Sequence, residues 1–319
     1  MNMIETHDLR RTFQSRMGLV EAVAGVDLCV ERGEVFGFLG PNGAGKTTTL
    51  RMLSTLLPPT GGQARVAGCD LRREPKKVRE RIGYVGQRNG SDPGVTARRE
   101  LEFQARLYGA SGTEARKRTS ELLVTLELEQ CADRPSSTYS GGQRRRLDIG
   151  LGLIHGPQLL FLDEPTTGLD PQGRARLWNE VRRLKAGGMT VFLTTHYLEE
   201  ADALCDRLAI IDHGRIVAEG TPAQLKRDIA GDVIVLGVGA DEERALQLLQ
   251  AEPYVRQASI EGDGLRLYVD HGESAMPAVL RLLDSSGFEL QTIALSRPSL
   301  DDVFLKQTGH TLRDVTEAA

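Results

Sequence analysis

Residues Gly40, Pro41, Asn42, Gly43, Ala44, Gly45, Lys46 and Thr47 spell G-x-x-x-x-G-K-T, directly after the apolar run Val35–Leu39 and ahead of a helical pattern. A buried strand, a glycine-rich turn and a helix in that order admit few folds. The glycines let the backbone curl so that its N–H groups converge on one point, and the following helix adds the positive end of its dipole. A loop of this kind holds phosphate. The lysine reaches the terminal phosphates of a nucleoside triphosphate, and the Thr47 hydroxyl serves Mg²⁺. Thr48 continues the first helical turn and belongs to the same nucleotide-binding set.

The rest of the N-terminal part fits a parallel sheet. Leu159–Leu162 and Val191–Thr194 are nearly continuous apolar runs, the mark of strands buried on both faces. Leu208–Asp212 and Arg215–Ala218 flank His213-Gly214 and predict a hairpin, and Thr221-Pro222 predicts a helix start. Beyond residue 230 the pattern predicts a strand at Val233–Val238, a helix near Glu242–Ala251, strands around Ala258–Glu261 and Leu265–Val269, a helix near Ser274–Asp284 and a strand at Glu289–Leu295. Gly262-Asp263-Gly264 supplies the turn between the middle strands, and Ser299 opens a last helix. The order β-α-β-β-α-β is ferredoxin-like. Charge divides the chain at the same place: residues 231–319 hold 15 acids and 7 bases, whereas the remainder holds 29 and 33. The expected domains are therefore 1–230 and 231–319.

Net charge is −4, which argues against a general nucleic-acid binder. No apolar run approaches the ~20 residues that span a bilayer. Cys29, Cys69, Cys131 and Cys205 are scattered and show no metal-like spacing.

Two further segments carry chemistry. Leu159–Leu162 delivers Asp163 and Glu164 at a strand's C-terminal end, where ligands of open α/β sheets bind. Asp163 there would hold Mg²⁺, and Glu164 would polarise the water that attacks the γ-phosphate. Tyr139-Ser140-Gly141-Gly142-Gln143 precedes that strand, and Ser140 can cap a helix whose apolar face is Leu147, Leu151 and Ile154. The run Arg144-Arg145-Arg146 is expected on a solvated or phosphate-facing edge of that helix.

Ser140-Gly-Gly-Gln143 ahead of such a strand resembles the signature motif of ABC ATPases. The resemblance implies a cassette with a RecA-like core, an antiparallel β subdomain and a helical subdomain, followed by the small α+β domain. It also implies a role for further residues. Gln87 resembles the Q-loop glutamine, which touches Mg²⁺ and water. Gly168-Leu169-Asp170 resembles the D-loop, and His196 the switch histidine that contacts the γ-phosphate. Phe13 resembles the aromatic that stacks on adenine, where Tyr is more usual, and Tyr139 stands where Leu is commoner. In such proteins Ser140, Gly141, Gly142 and Gln143 of one chain cover the nucleotide held by Lys46 of another, so a homodimer with two ATP–Mg²⁺ is implied.

The tail Pro298-Ser-Leu-Asp-Asp-Val-Phe-Leu-Lys306 resembles the extension of daunorubicin-resistance-type drug exporters. That likeness implies a separate integral-membrane permease, gripped by a groove near residues 88–108, and a place on the cytoplasmic face of the cell membrane. An importer ATPase shares the cassette, and the tail weighs against it. Translation-type relatives carry two cassettes and repair-type relatives a long coiled coil, neither of which this sequence contains.

Overall fold

The computed structural model describes residues 2–15, 18–87, 90–229, 232–239, 241–261, 264–296 and 299–308. The chain forms two compact units, Met1–Glu219 and Gly220–Glu317. In the first, the elements are β1 (Asn2–Ser15), β2 (Gly18–Glu31), β3 (Val35–Leu39), α1 (Lys46–Leu53), β4 (Gly61–Val66), β5 (Cys69–Asp70), α2 (Pro75–Arg81), β6 (Ile82–Val85), α3 (Ala97–Leu107), α4 (Gly112–Thr125), α5 (Gly141–Leu153), β7 (Leu159–Asp163), α6 (Pro171–Ala186), β8 (Thr190–Thr195), α7 (Leu198–Leu204), β9 (Arg207–Asp212) and β10 (Arg215–Gly220).

The central sheet runs β10-β9-β3-β8-β7-β6. Strands β3, β7 and β8 are buried at every residue. Phe192 on β8 lies 5.6–5.8 Å, ring centre to ring centre, from Phe161, Phe38 and Phe36 on its neighbours. Burying one such ring contributes about 1.5–3 kcal/mol. The pairs β3–β8, β3–β9, β6–β7 and β7–β8 are all parallel, with Leu39 opposite Thr195, Asp163 opposite Thr194 and Val85 opposite Leu162. Parallel strands in this register bring Gly40, Gly86, Glu164 and His196 to one edge of the sheet. That edge is where the chemistry predicted from the sequence must meet.

A second sheet, β2-β1-β4-β5, is antiparallel. On β2, Val26, Leu28 and Val30 point inward while Asp27, Cys29 and Glu31 face out, the two-residue period of a half-buried strand. The helices α3 and α4 pack on each other and begin at Thr96 and Ser111, whose hydroxyls accept the Arg99 and Glu114 amides.

The second unit contains α8 (Pro222–Ile229), β11 (Asp232–Val238), α9 (Glu242–Gln250), β12 (Val255–Glu261), β13 (Gly264–Val269), α10 (Gly272–Ser285), β14 (Leu290–Ser296) and α11 (Leu300–Thr308). Its antiparallel sheet runs β12-β13-β11-β14, and Ile234, Leu236, Leu265 and Leu267 meet Leu249, Val279 and Leu283 in its own core. This is the ferredoxin-like arrangement. Asp302 N–H donates to Ser299 Oγ at 3.3 Å and Ser299 N–H to Asp302 Oδ2 at 2.8 Å, which caps α11 reciprocally. The turn residues 262–263 lie outside the described residues. The compact units divide at residue 220 rather than 230. Helix α8, expected with the first domain, belongs to the second unit, where it packs on α11.

Candidate active site

The loop between β3 and α1 closes on itself because two glycines adopt left-handed backbone, Gly43 at φ 82° and Gly45 at φ 106°. Gly40 and Gly45 also run against neighbouring main chain: a Cβ would fall 2.3 Å from Ile211 O at the first and 2.4 Å from Ala22 O at the second. Ala44 N–H donates to Pro41 O, and Gly214 N–H to Ala44 O, so the loop is stapled to the β9–β10 turn. Lys46 is 4% exposed and donates from Nζ to Gly40 O at 2.7 Å and Pro41 O at 3.0 Å. The loop encloses a cavity of about 350 Å³, lined by Asn42, Gly43, Gly45, Lys46, Thr47, Thr48, Gln87 and Glu164.

The two carboxylates at the end of β7 divide their tasks. Asp163 is buried, and its Oδ1 accepts the hydroxyls of Thr47 at 3.1 Å and Thr194 at 2.7 Å. A hydroxyl, a carboxylate and the nearby Gln87 amide are hard oxygen donors of the sort Mg²⁺ takes, so the residues present fit that ion. Glu164 sits at φ 45°, a strained backbone for a side chain of this size, held by Glu164 N–H donating to Thr194 O at 3.1 Å. The turn aims its carboxylate into the cavity. There Oε2 accepts from Gln87 Nε2 at 2.8 Å and from Thr167 Oγ1 at 3.4 Å, and Oε1 stands 3.6 Å from Lys46 Nζ. His196 Nδ1 lies 3.3 Å from Oε2, buried and aligned with no acceptor as a hydrogen bond.

Charge follows from this packing. Burial would raise the Glu164 carboxyl, but His196 and the Lys46 ammonium outweigh it and hold it below its ordinary range. Burial lowers Lys46, against the pull of Glu164 and Asp163.

The signature segment forms a separate surface. Gln143 N–H donates to Ser140 Oγ at 3.3 Å and Ser140 N–H to Gln143 Oε1 at 3.0 Å, a capping box worth about 1 kcal/mol at the start of α5. Ser140, Gly141, Gly142 and Gln143 line a cavity of about 400 Å³ with Gly168, Leu169 and Asp170. Asp170 Oδ1 accepts the Gly173 amide at 2.7 Å and caps α6. No residue lining this cavity lines the first one. Tyr139 is buried and donates from its hydroxyl to Cys131 O at 2.6 Å, so the ring in place of the commoner leucine anchors the segment from below.

The structure thus gathers Lys46, Thr47, Gln87, Asp163, Glu164 and His196 and leaves Ser140–Gln143 apart. Phe13 does not line the first cavity; it is half-buried on β1 with the Arg11 guanidinium 4.5 Å over its ring. Two expectations for α5 need correction. Its buried face takes in Ile149 and Leu153 beside Leu147 and Ile154, while Leu151 is half-exposed, because the helix is enclosed on more than one side. Arg145 is no solvated edge: it is 5% exposed and donates to three main-chain carbonyls beneath β7. Thr194 was not foreseen either, although a hydroxyl beside Asp163 on the next strand follows from the strand pairing.

A family model for ABC transporters matches residues 23–167, and one for the C-terminal domain of DrrA1-3-like ATP-binding proteins matches residues 220–308. The chain is 46% identical over 309 residues to the daunorubicin resistance ATP-binding protein DrrA2 of Streptomyces coeruleorubidus, across 96% of this chain and 95% of that one. It is 41% identical over 303 residues to Nod factor export ATP-binding protein I of Ralstonia nicotianae, across 94% and 93%. A solved dimeric ATP-binding cassette in a post-hydrolysis state, bound to ADP and Pi, superimposes with a TM-score of 0.63 at 28% identity, over 69% of this chain and 98% of that one.

Proposed function

The chain belongs to the daunorubicin-resistance-type family of ABC transporter ATP-binding proteins, and from that premise we propose that this ATPase powers an exporter whose membrane-spanning part is a separate protein. The relatives' names, which speak of drug resistance and of export, support efflux of a drug-like, lipid or other hydrophobic compound over import. Two copies hold two ATP head to tail, each site joining the first cavity of one chain to Ser140 and Gly142 of the other. The separation of the two cavities on one chain supports this reading, as does the dimeric cassette among similar structures.

In each site the loop amides and Lys46 bind the β- and γ-phosphates. Thr47, Asp163 and Gln87 would hold Mg²⁺, which when bound neutralises phosphate charge. Glu164 orients the attacking water and draws on its proton, and His196 faces the γ-phosphate. Phosphoryl transfer asks little covalent work of a protein, so positioning and charge carry the rate. The observation that carries the reading is the Glu164 carboxylate, turned into the phosphate-binding cavity by a strained backbone and met there by Lys46, Gln87 and His196.

Coupling to the permease fits the surface beside the Q-loop. Tyr84, Gly86, Gly90, Phe103 and Leu151 line a groove of about 270 Å³, and Phe103 and Leu107 nearby are 62% and 64% exposed. A permease helix docked there would place the chain on the cytoplasmic face of the membrane; residues 88–89 lie outside the described residues. The first unit is the ATP-binding cassette, and the second an accessory domain that tunes dimerisation or coupling. The test is ATP-driven uptake of daunorubicin by inside-out vesicles carrying the chain and a co-expressed permease partner. Uptake lost in Lys46→Ala supports the proposal, and ATPase activity with no cargo movement for any hydrophobic compound tried contradicts it.

A further inference from the structure

Helix α5 starts at the signature and passes beneath both loops that form the hydrolytic site. Arg145 sits in its second turn. Its Nη1 donates to Gly86 O at 2.7 Å, its Nε to Pro165 O at 2.9 Å and its Nη2 to Asp163 O at 3.3 Å. One turn further, on the same face, Asp148 is 4% exposed, and its Oδ1 accepts the Gly90 and Ser91 amides, each at 3.0 Å. The targets bracket two residues. Gly86 and Gly90 flank Gln87, and Asp163 and Pro165 flank Glu164. One turn of a single helix therefore fixes the backbone on both sides of the glutamine and the carboxylate that hydrogen-bond each other.

Packing alone does not account for this pair. A buried guanidinium and a buried carboxylate both cost desolvation, and apolar residues of similar volume would fill the helix face without that cost. What charged side chains add is direction: each holds named main-chain atoms at fixed distance. We propose that Arg145 and Asp148 are positioning residues that tie the signature helix to the Gln87–Glu164 contact. Movement of α5 as Ser140 engages nucleotide then resets the geometry of the hydrolytic carboxylate. The proposal rests on the assignment of Glu164 and of the shared site given above.

Purified full-length variants test it by hydrolysis and by hydrogen exchange. Arg145→Leu and Asp148→Ala should lower kcat about 10-fold or more with the Kd for ATP–Mg²⁺ moved less than about 3-fold, because loss of orientation lowers turnover before binding. Asp148→Asn keeps an oxygen that accepts the Gly90 and Ser91 amides and should stay within about 3-fold of the parent. In a Gln87→Ala background, the Arg145 and Asp148 changes should cost less than about 3-fold more, as expected of groups acting through one contact. Losses that multiply in full in that background, or Asp148→Asn as slow as Asp148→Ala, would overturn the proposal.

Exchange decides the matter apart from turnover. The Gly90 and Ser91 amides should exchange about 10-fold faster in Asp148→Ala but not in Asp148→Asn, with amides 43–47 unchanged. Unchanged exchange at 90 and 91 contradicts the clamp. A parent chain that hydrolyses no ATP contradicts instead the functional reading on which it rests. If Arg145→Leu does not fold, the Asp148 pair decides.

Discussion

Gln87 donates a 2.8 Å hydrogen bond to Glu164 Oε2, while Lys46 stands 3.6 Å from the other oxygen of the same carboxylate. The glutamine that follows Gly86 of the Tyr84–Gly86–Phe103 groove and the lysine of the phosphate loop thus meet on one side chain. Phosphate that draws Lys46 toward itself removes a cation from Glu164 and makes it a better base.

Glu164→Gln should keep ATP binding and lose turnover by about 10²–10⁴-fold, the usual contribution of a positioned general base. The amide is nearly isosteric and carries no charge to repel the γ-phosphate. ATP–Mg²⁺ should then hold the variant as a dimer on size-exclusion chromatography. A variant that turns over at the parent rate and stays monomeric removes Glu164 from this role.

Lys46→Ala should abolish measurable ATP binding by fluorescent-nucleotide titration, since it removes the buried cation of the loop. It should also change acid stability. Burial raises Glu164, but His196 and the Lys46 ammonium more than offset it, so the folded carboxyl titrates below its unfolded value of 4.5. A depressed carboxyl contributes stability that is present above the unfolded value and is lost as pH falls through the folded one. Without Lys46 the folded value moves up and that contribution shrinks. Thermal unfolding from pH 7 down to pH 3 should show the variant starting at a lower Tm and losing less of it than the parent, so that the two curves converge at low pH. Parallel curves would contradict the Lys46–Glu164 coupling.

Much of this site was legible in the sequence because apolar runs end abruptly on chemical residues. Leu39 gives way to Gly40, Leu162 to Asp163 and Thr195 to His196, and parallel pairing brings those ends together. The hairpin of β1 and β2 was not read, since the alternation of Val26, Leu28 and Val30 on β2 faces a β1 rich in polar residues. The pairing of Ile4 with Val66 joins segments far apart in the chain and leaves no local trace. Arg145 was misread because its carbonyl partners, Gly86 before Gln87 and Asp163 and Pro165 on either side of Glu164, come from segments distant from α5 in sequence. The backbone at Glu164 was invisible for a different reason: a positive φ without glycine has no sequence signal.

Phe13→Ala tests the adenine contact implied by resemblance. Base–aromatic stacking is worth about 1–3 kcal/mol, so the Kd for ATP should rise about 5-fold or more, with Phe13→Tyr restoring it. An unchanged Kd assigns Phe13 to its contact with Arg11 alone.

A chain ending at Glu219 should remain folded and bind ATP, because every nucleotide-site residue lies before it. A chain ending at residue 230 keeps α8 but removes α11, the helix it packs on, while α8 carries the buried Leu225. It should aggregate more readily than the shorter chain in light scattering. Failure of the shorter, folded chain to bind ATP contradicts the two-unit reading.

The shared site is the central claim, and complementation measures it most directly. Chains carrying Lys46→Ala and Ser140→Arg are given different affinity tags, and mixed dimers are isolated by sequential purification through both. One site in the mixed dimer carries both lesions. The other pairs an intact Lys46 with an intact Ser140 across the interface. Phosphate release from the mixed dimer should rise well above that of either variant alone, toward about half the parent rate if the sites fire independently. Cysteines placed at residues 46 and 140 report the same geometry without turnover: ATP-dependent crosslinking between chains is expected, and crosslinking only within one chain contradicts a site shared between chains.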